Sequence, residues 1–206
     1  MDAKNSPVPV PAQRQFVRQV VLDWNIIQYW ISEKMRPNIL PVLEEMNGVN
    51  LQFTISEISL HEGQCRLPVG KHIEARNFLN GFPRYAVDYD TQLISGSVIS
   101  CYRHHPKTKA HSSDISLPDV YNATCAILNN ALVMTADVDD YPWPFFDAVY
   151  TWTIKSESGQ PLKICLLQPD NTQFETMTQK WADMAVDNEA NKTKQVAAKA
   201  KKNTPK

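Results

Sequence analysis

The stretch RQFVRQVVLDWNIIQYWISEKMRP, residues 14–37, has the most regular apolar spacing in the chain. Its apolar residues recur at steps of three and four, the period of an α-helix. They are Phe16, Val17, Val20, Val21, Trp24, Ile27 and Ile31. The spacing predicts a long N-terminal helix over about 12–35, which Pro37 stops or kinks because proline lacks the backbone donor that a helix needs.

Further helices are predicted at 38–47, at 71–81, from about 116 and from about 170. Strands are predicted at 51–60, 65–69, 91–102 and in a hairpin over 147–168, while 131–138 fits either a strand or a helix. This order predicts an α+β fold, a single domain whose mostly antiparallel sheet carries N-terminal, central and C-terminal helices. The domain is expected over 12–187, after a flexible proline-rich arm at 1–11 and before a disordered lysine-rich tail at 188–206.

Composition restricts the function classes. The 206 residues carry a formal net charge of −1, so the chain as a whole is not a basic nucleic-acid binder. It has 6 glycines against 14 prolines, which argues against a glycine-rich phosphate loop. The sequence shows no export signal and no apolar stretch long enough to span a bilayer, so we expect a cytoplasmic protein.

The tail offers a separate, weaker contact. Its lysines could neutralise phosphates or dock on an acidic partner. They are Lys192, Lys194, Lys199, Lys201, Lys202 and Lys206. No aromatic residue lies among them, so the tail has no platform for base stacking.

A loop rich in histidine invites a zinc interpretation. Cys101, His104, His105 and His111 lie close in sequence, with Asp114 beyond them. Their spacings match no structural zinc pattern, and neighbouring histidines on an extended chain point to opposite sides. We therefore predict no metal here, and a solvated loop is the simpler interpretation.

Four acids surround the aromatic run: Asp137, Asp139, Asp140 and Asp147. Clustered carboxylates can bind Mg²⁺ or Ca²⁺, or divide acid and base roles. Acids at such places more often form turns. The sequence therefore predicts no catalytic residue, metal or cofactor.

The segment DDYPWPFFDAVYTWTI, residues 139–154, is the densest aromatic stretch. Pro142 and Pro144 keep it out of a central strand or a helix interior. The rings either fold back over the core or form a surface for a partner. The rings of this segment are Tyr141, Trp143, Phe145 and Phe146. Tyr29 and Trp30 of the predicted first helix lie off its main apolar stripe, so they are also candidates for contact with a partner.

These features together favour a non-enzymatic protein–protein interaction module. We expect an adaptor or complex subunit, for example a bacterial secretion adaptor, that binds a helix or extended peptide through the six aromatic residues. One alternative is a nucleic-acid-associated structural protein of the viral capsid or nucleocapsid type that uses the lysine tail. The other is a small hydrolase that uses the histidine loop at 101–114.

Overall fold

The computed structural model describes residues 18–110, 112–180 and 183. The strands are β1 (Arg18–Leu22), β2 (Leu51–Ser56), β3 (Arg84–Tyr85), β4 (Leu132–Thr135), β5 (Phe146–Lys155) and β6 (Pro161–Pro169). The helices are α1 (Trp24–Ile31), α2 (Arg36–Asn47), α3 (Glu57–Arg66), α4 (His72–Leu79), α5 (Tyr89–His104) and α6 (Leu117–Leu128). Residues 171–180 are also helical, and short 3-10 turns lie at Val69–Lys71 and Val138–Asp140.

The sheet is mostly parallel, with the order β3-β2-β1-β4-β6-β5. The first four strands in that order run parallel, and only the β5–β6 hairpin is antiparallel to its neighbours. Helices alternate with the parallel strands along the chain. The predicted α+β fold with a mostly antiparallel sheet is therefore wrong, and the fold is α/β.

The single long helix predicted over about 12–35 is wrong, because the described part of this stretch forms strand β1 followed by helix α1. Val20, Val21 and Leu22 are fully buried because β1 lies inside the sheet, with helices over both faces. A strand buried on both faces shows a continuous apolar run instead of alternation. The apolar residues of β1 stand at helical spacing from those of α1, and for this reason the sequence predicted one helix. Asp23 separates the two elements and caps α1 through a 2.6 Å hydrogen bond from the Trp24 N–H.

The strand predicted at 91–102 is also wrong, because these residues belong to α5. Asp88 caps this helix by accepting a 2.8 Å hydrogen bond from the Thr91 N–H. Its buried residues follow a helical period, although β-branched residues give the segment a local preference for strand. Residues 57–60 likewise lie in α3 rather than in β2, and α3 also takes up the start of the edge strand predicted at 65–69.

Several local predictions are confirmed. The helices expected at 38–47, at 71–81 and from about 116 correspond to α2, α4 and α6. The hairpin is β5–β6, and Gly159 takes the left-handed φ of 80° that its turn requires. The helix expected from about 170 begins at residue 171, and Asp170 accepts a hydrogen bond from the Gln173 N–H. The arm at 1–11 and the tail at 188–206 lie outside the described residues.

The core has two halves, one on each face of the sheet. Val21 and Val133 face the half that contains α5, α6 and Phe174. Val20 and Leu22 face the half that contains α1 and α2. Side chains of neighbouring β1 residues thus pack into opposite halves of the core, which is the expected pattern for a sheet sandwiched between helices. This leaves the ends of the strands as the part of the sheet open to a ligand.

Candidate active site

The carboxyl ends of β1, β2 and β4 meet at one edge of the sheet because these strands are parallel. The chain runs from β1 outward to β2 and β3, and then crosses to β4 on the other side of β1. This is the topological switch point, where ligands bind in open α/β sheets. Asp23 follows β1 directly, and Asp137 lies two residues after β4.

Asp23 is held rigidly at this edge. Its Oδ2 accepts hydrogen bonds from Thr135 Oγ1 at 2.7 Å and from Asn25 Nδ2 at 2.8 Å. Its Oδ1 accepts from the Trp24 N–H, and Asn122 Nδ2 lies 3.4 Å away. Asp23 is also almost completely buried. The carboxylate is therefore fixed in direction before any ligand arrives.

Two helices bring further oxygen ligands to the same place. Asn122 of α6 is fully buried, and its Oδ1 accepts a 2.5 Å hydrogen bond from Ser56 Oγ at the end of β2. Asp119, in the first turn of α6, accepts a hydrogen bond from Ser116 Oγ at 2.5 Å. Glu62 of α3 pairs through Oε1 with Arg66 at 2.8 Å, and its Oε2 is buried without a hydrogen-bond partner.

We call Asp23, Glu62, Asp119, Asp137 and Asp140 the carboxylate cluster. Burial and the nearby carboxylates of Asp119 and Glu62 raise the pKa of Asp23 to about 7. Burial raises the pKa of Asp140 to about 7 as well, with contributions from the other acids around it. The pKa values of Asp119 and Glu62 are also raised, first by burial. Mutual repulsion of this kind marks a site that lacks positive charge.

The cluster is not a preformed metal cage. Within the described ranges, no three His, Cys, Asp or Glu side chains stand close enough to ligate one ion. Asp137 is exposed and Asp140 is half-buried, so both side chains have room to rotate. Three of these side chains could share one ion only after a rearrangement of this part of the chain.

Comparisons with known proteins give a weak structural likeness. No protein-family model matches the sequence, and no curated protein matches it. The chain is similar to a chain in a crystal structure of VapBC2 from Rickettsia felis bound to a DNA fragment from their promoter. The identity is 21%, the TM-score is 0.46, and the alignment covers 61% of this chain and 93% of that chain. A likeness of this strength carries no argument about function, which must come from the residues of the site.

Most of the predicted partner-binding rings lie inside the protein. Tyr141, Phe145 and Phe146 are at most 3% exposed, whereas Trp143 is 55% exposed. Phe145 stacks at 4.7 Å on Phe174, so the segment closes the core half that contains α5 and α6.

The remaining aromatic candidates lie elsewhere in the fold. Trp30 is half-buried and makes edge contacts with Phe53, Phe78 and Phe82 at 5.1–5.8 Å, and Tyr29 belongs to the same half of the core. The six residues therefore do not form one exposed surface. The prediction of a non-enzymatic adaptor that binds a partner through these six rings is wrong, because three of them are buried in the core and the others do not lie together on the surface.

The histidine loop does not form a site in the described residues. Cys101 is buried, His104 Nδ1 lies 2.8 Å from the Ser100 carbonyl oxygen, and the His105 ring packs on the edge of Phe145. His111 lies outside the described residues, as do the tail lysines, whose contact with nucleic acid stays a prediction.

The acid set was partly identified from sequence and partly missed. Asp137 and Asp140 belong to the cluster and Asp139 lies beside it, while Asp147 lies on the exposed start of β5. Asp23, Glu62 and Asp119 were missed, the first because the single helix predicted over about 12–35 placed it in the middle of that helix. A usable signal exists: an apolar strand with an acid one or two residues after it occurs in VVLD at 20–23 and in LVMTAD at 132–137.

The raised pKa values predict how stability depends on pH. Between about pH 4 and 7 the folded chain holds more protons than the unfolded chain, so stability is highest near pH 4 and falls as the pH rises through 7. In EDTA we expect the charges of these acids to lower the free energy of unfolding at pH 8 by on the order of 2 kcal/mol relative to pH 5. Thermal unfolding with and without Mg²⁺ checks this, because Mg²⁺ should raise the melting temperature at pH 8 much more than at pH 5. An equal Mg²⁺ effect at both pH values would contradict it.

Proposed function

We propose that this protein is a divalent-cation-dependent nuclease, and that it hydrolyses phosphodiester bonds at the carboxylate cluster of its α/β domain. The observation that carries the proposal is that five acids from four segments of the chain lie near one another at the carboxyl edge of the parallel strands. Arg66 is the cation paired with one of them, and its charge cannot balance five carboxylates.

The donor atoms fit Mg²⁺ or Mn²⁺. Every cluster member offers carboxylate oxygen, and Asn122 and Ser56 add amide and hydroxyl oxygen beside it. Hard oxygen ligands suit these ions, whereas zinc prefers His and Cys. The unpaired Oε2 of Glu62 is an available ligand atom, and a cation would offset the repulsion that raises the pKa values.

A bound divalent ion would supply an activated water and polarise the phosphoryl oxygen. The chain's own residues prepare the site for it. Thr135, Asn25 and the Trp24 N–H fix the direction of Asp23, and Ser56 fixes Asn122. Such preorganisation matters because hydrogen-bonded ligands need not reorient during the reaction.

A phosphodiester substrate suits this edge of the sheet. Its anionic oxygens would be repelled by bare carboxylates but attracted by a cation that those carboxylates hold. Arg66, whose side chain is 62% exposed beside Glu62, adds a donor suited to phosphate. These features favour a nucleic-acid backbone over a neutral ester or glycoside.

Cleavage of labelled single-stranded RNA and DNA tests the proposal. We expect cleavage with Mg²⁺ or Mn²⁺ and none in excess EDTA. Asp23→Asn and Asp119→Asn should each lower the rate by at least about a hundred-fold. Asp90→Asn, an exposed acid in the first turn of α5, is the matched control and should leave the rate unchanged. Cleavage that persists in both cluster variants, or a wild type that binds no Mn²⁺, would refute the proposal.

Other expectations stay predictions. No helix in the part of the chain that the structure describes is long and apolar enough to cross a membrane. The cytoplasmic location and a protein partner rest on the sequence alone.

A further inference from the structure

A groove of about 490 Å³ runs beside the carboxylate cluster, between the segment after β4 and the β5–β6 hairpin. Its chemically distinctive lining residues are Lys107, Asp139, Tyr141, Trp143, Asp147 and Lys163. The proposed hydrolysis uses none of them directly, and the groove therefore needs an explanation of its own.

Trp143 is the feature that suggests a ligand. It lies between Pro142 and Pro144 and is 55% exposed, although the rings around it in sequence are buried. Lys107 Nζ lies 3.6 Å from the centroid of its ring, a cation–π contact that holds the indole in place. An exposed, oriented indole is a stacking platform for an unpaired base.

The charges favour a strand with few phosphate contacts. Lys107 and Lys163 are exposed cations on the groove, and Asp139 and Asp147 offset their charge. Because these four charges cancel, electrostatic attraction contributes little to the affinity of the groove for a polyanion. Stacking must therefore supply much of the affinity, and two lysines can contact at most about two phosphates.

The groove lies close to the carboxylate cluster, although none of the cluster acids lines it. Val138 and Asp139 line the groove, and they lie in the chain between Asp137 and Asp140 of the cluster. A strand lying in the groove would therefore pass near the carboxylates.

We propose that this groove binds single-stranded nucleic acid beside the cleavage site, with Trp143 stacked on a base and with Lys107 and Lys163 on phosphates. The proposal rests on the proposed function, because it assigns the substrate of that site to the single-stranded class. A duplex keeps its bases stacked on each other and could not use Trp143 in this way.

Binding measured with cleavage slowed tests the groove. The full chain carrying Asp23→Asn, which is expected to slow cleavage, is titrated with Mg²⁺ present into a fluorescent single-stranded oligonucleotide and into a matched oligonucleotide of abasic sites, and each further substitution is made in that background. We expect Trp143→Ala to weaken binding of the first by at least about five-fold, the lower bound for one stacked base, and to leave the abasic strand unaffected. Tyr150→Ala is the control, because Tyr150 is an exposed ring on β5 outside the groove lining.

Salt dependence tests the lysines separately. Each phosphate contact contributes about −0.7 to the slope of log K against log salt for a single strand. Lys163→Gln should therefore make the slope shallower by about 0.7, with Lys155→Gln, an exposed lysine of β5 outside the groove lining, as its control. Both comparisons use the full chain, so any contribution of the tail is common to all variants.

The outcomes separate the two proposals. Equal binding by the Asp23→Asn chain and by the same chain with Trp143→Ala, or the same loss on the abasic strand, would overturn the groove assignment even if cleavage is confirmed. If Trp143→Ala loses binding and the protein shows no cleavage, the groove would be supported as a binding site and the proposed nuclease activity would be refuted. A loss of similar size in Tyr150→Ala would show a general surface effect and also overturn the assignment.

Discussion

Replacing Asp140 by Asn is expected to stabilise the protein and at the same time to reduce metal-dependent cleavage about a hundred-fold. The pKa of Asp140 is raised to about 7 by burial and by the neighbouring acids, so at pH 8 its charge opposes folding. The neutral amide removes that repulsion. Because the side chain is half-exposed, the gain in unfolding free energy is only about 1 kcal/mol after solvent screening.

The same change removes the negative charge with which Asp140 would hold the proposed cation, which explains the opposite sign of its expected effect on activity. Thermal unfolding in EDTA at pH 8 measures the first effect, and cleavage in Mn²⁺ measures the second. At pH 5 the stabilisation should largely disappear, since the wild-type carboxyl is then mostly protonated. Asp90→Asn is again the control. An Asp140→Asn protein that cleaves normally would exclude this residue from the site.

Gly63→Ala is expected to destabilise the protein by about 1–3 kcal/mol, the usual cost of forcing extra volume into a packed core. A Cβ built on Gly63 of α3 would lie 2.5 Å from Cη2 of the buried Trp24 ring. The helix and the indole must then move apart. Trp24 follows Asp23 and Gly63 follows Glu62, so this movement would also separate two members of the carboxylate cluster.

Gly96→Ala provides the matched comparison, because a Cβ at Gly96 in α5 would meet no atom within 4 Å. Alanine there should stabilise the helix by up to about 1 kcal/mol. Chemical denaturation of both variants measures the difference, and Mn²⁺ affinity should fall only in Gly63→Ala. Two alanine variants of equal stability would mean that α3 does not approach Trp24 as closely as the structure shows.

The sequence predicted elements that carry a local signal better than elements that do not. Helices α2 and α4 were identified from their apolar residues, α6 from the Ser116, Pro118 and Asp119 start, and the β5–β6 hairpin from its turn. The central strand β1 was not identified, because burial on both faces removes the apolar–polar alternation that marks a strand. That one error hid the parallel sheet, and with it the edge where the site lies.

The site was hard to predict for a related reason. Asp23, Glu62 and Asp119 are far apart in sequence and meet only because parallel strands end together. A single aspartate after an apolar run has many explanations, including the helix cap that Asp23 also provides. Only the sheet order shows that several such acids share one edge.

The boundary between the parallel strands and the hairpin divides the two proposed roles between different parts of the chain. The acids belong to segments that follow β1 and β4 or lie in α3 and α6, whereas most of the groove is formed by the hairpin and the segment leading into it. If both proposals hold, substitutions within residues 142–168 should alter which polymer binds and leave the proposed reacting centre intact. The two properties are then open to separate redesign.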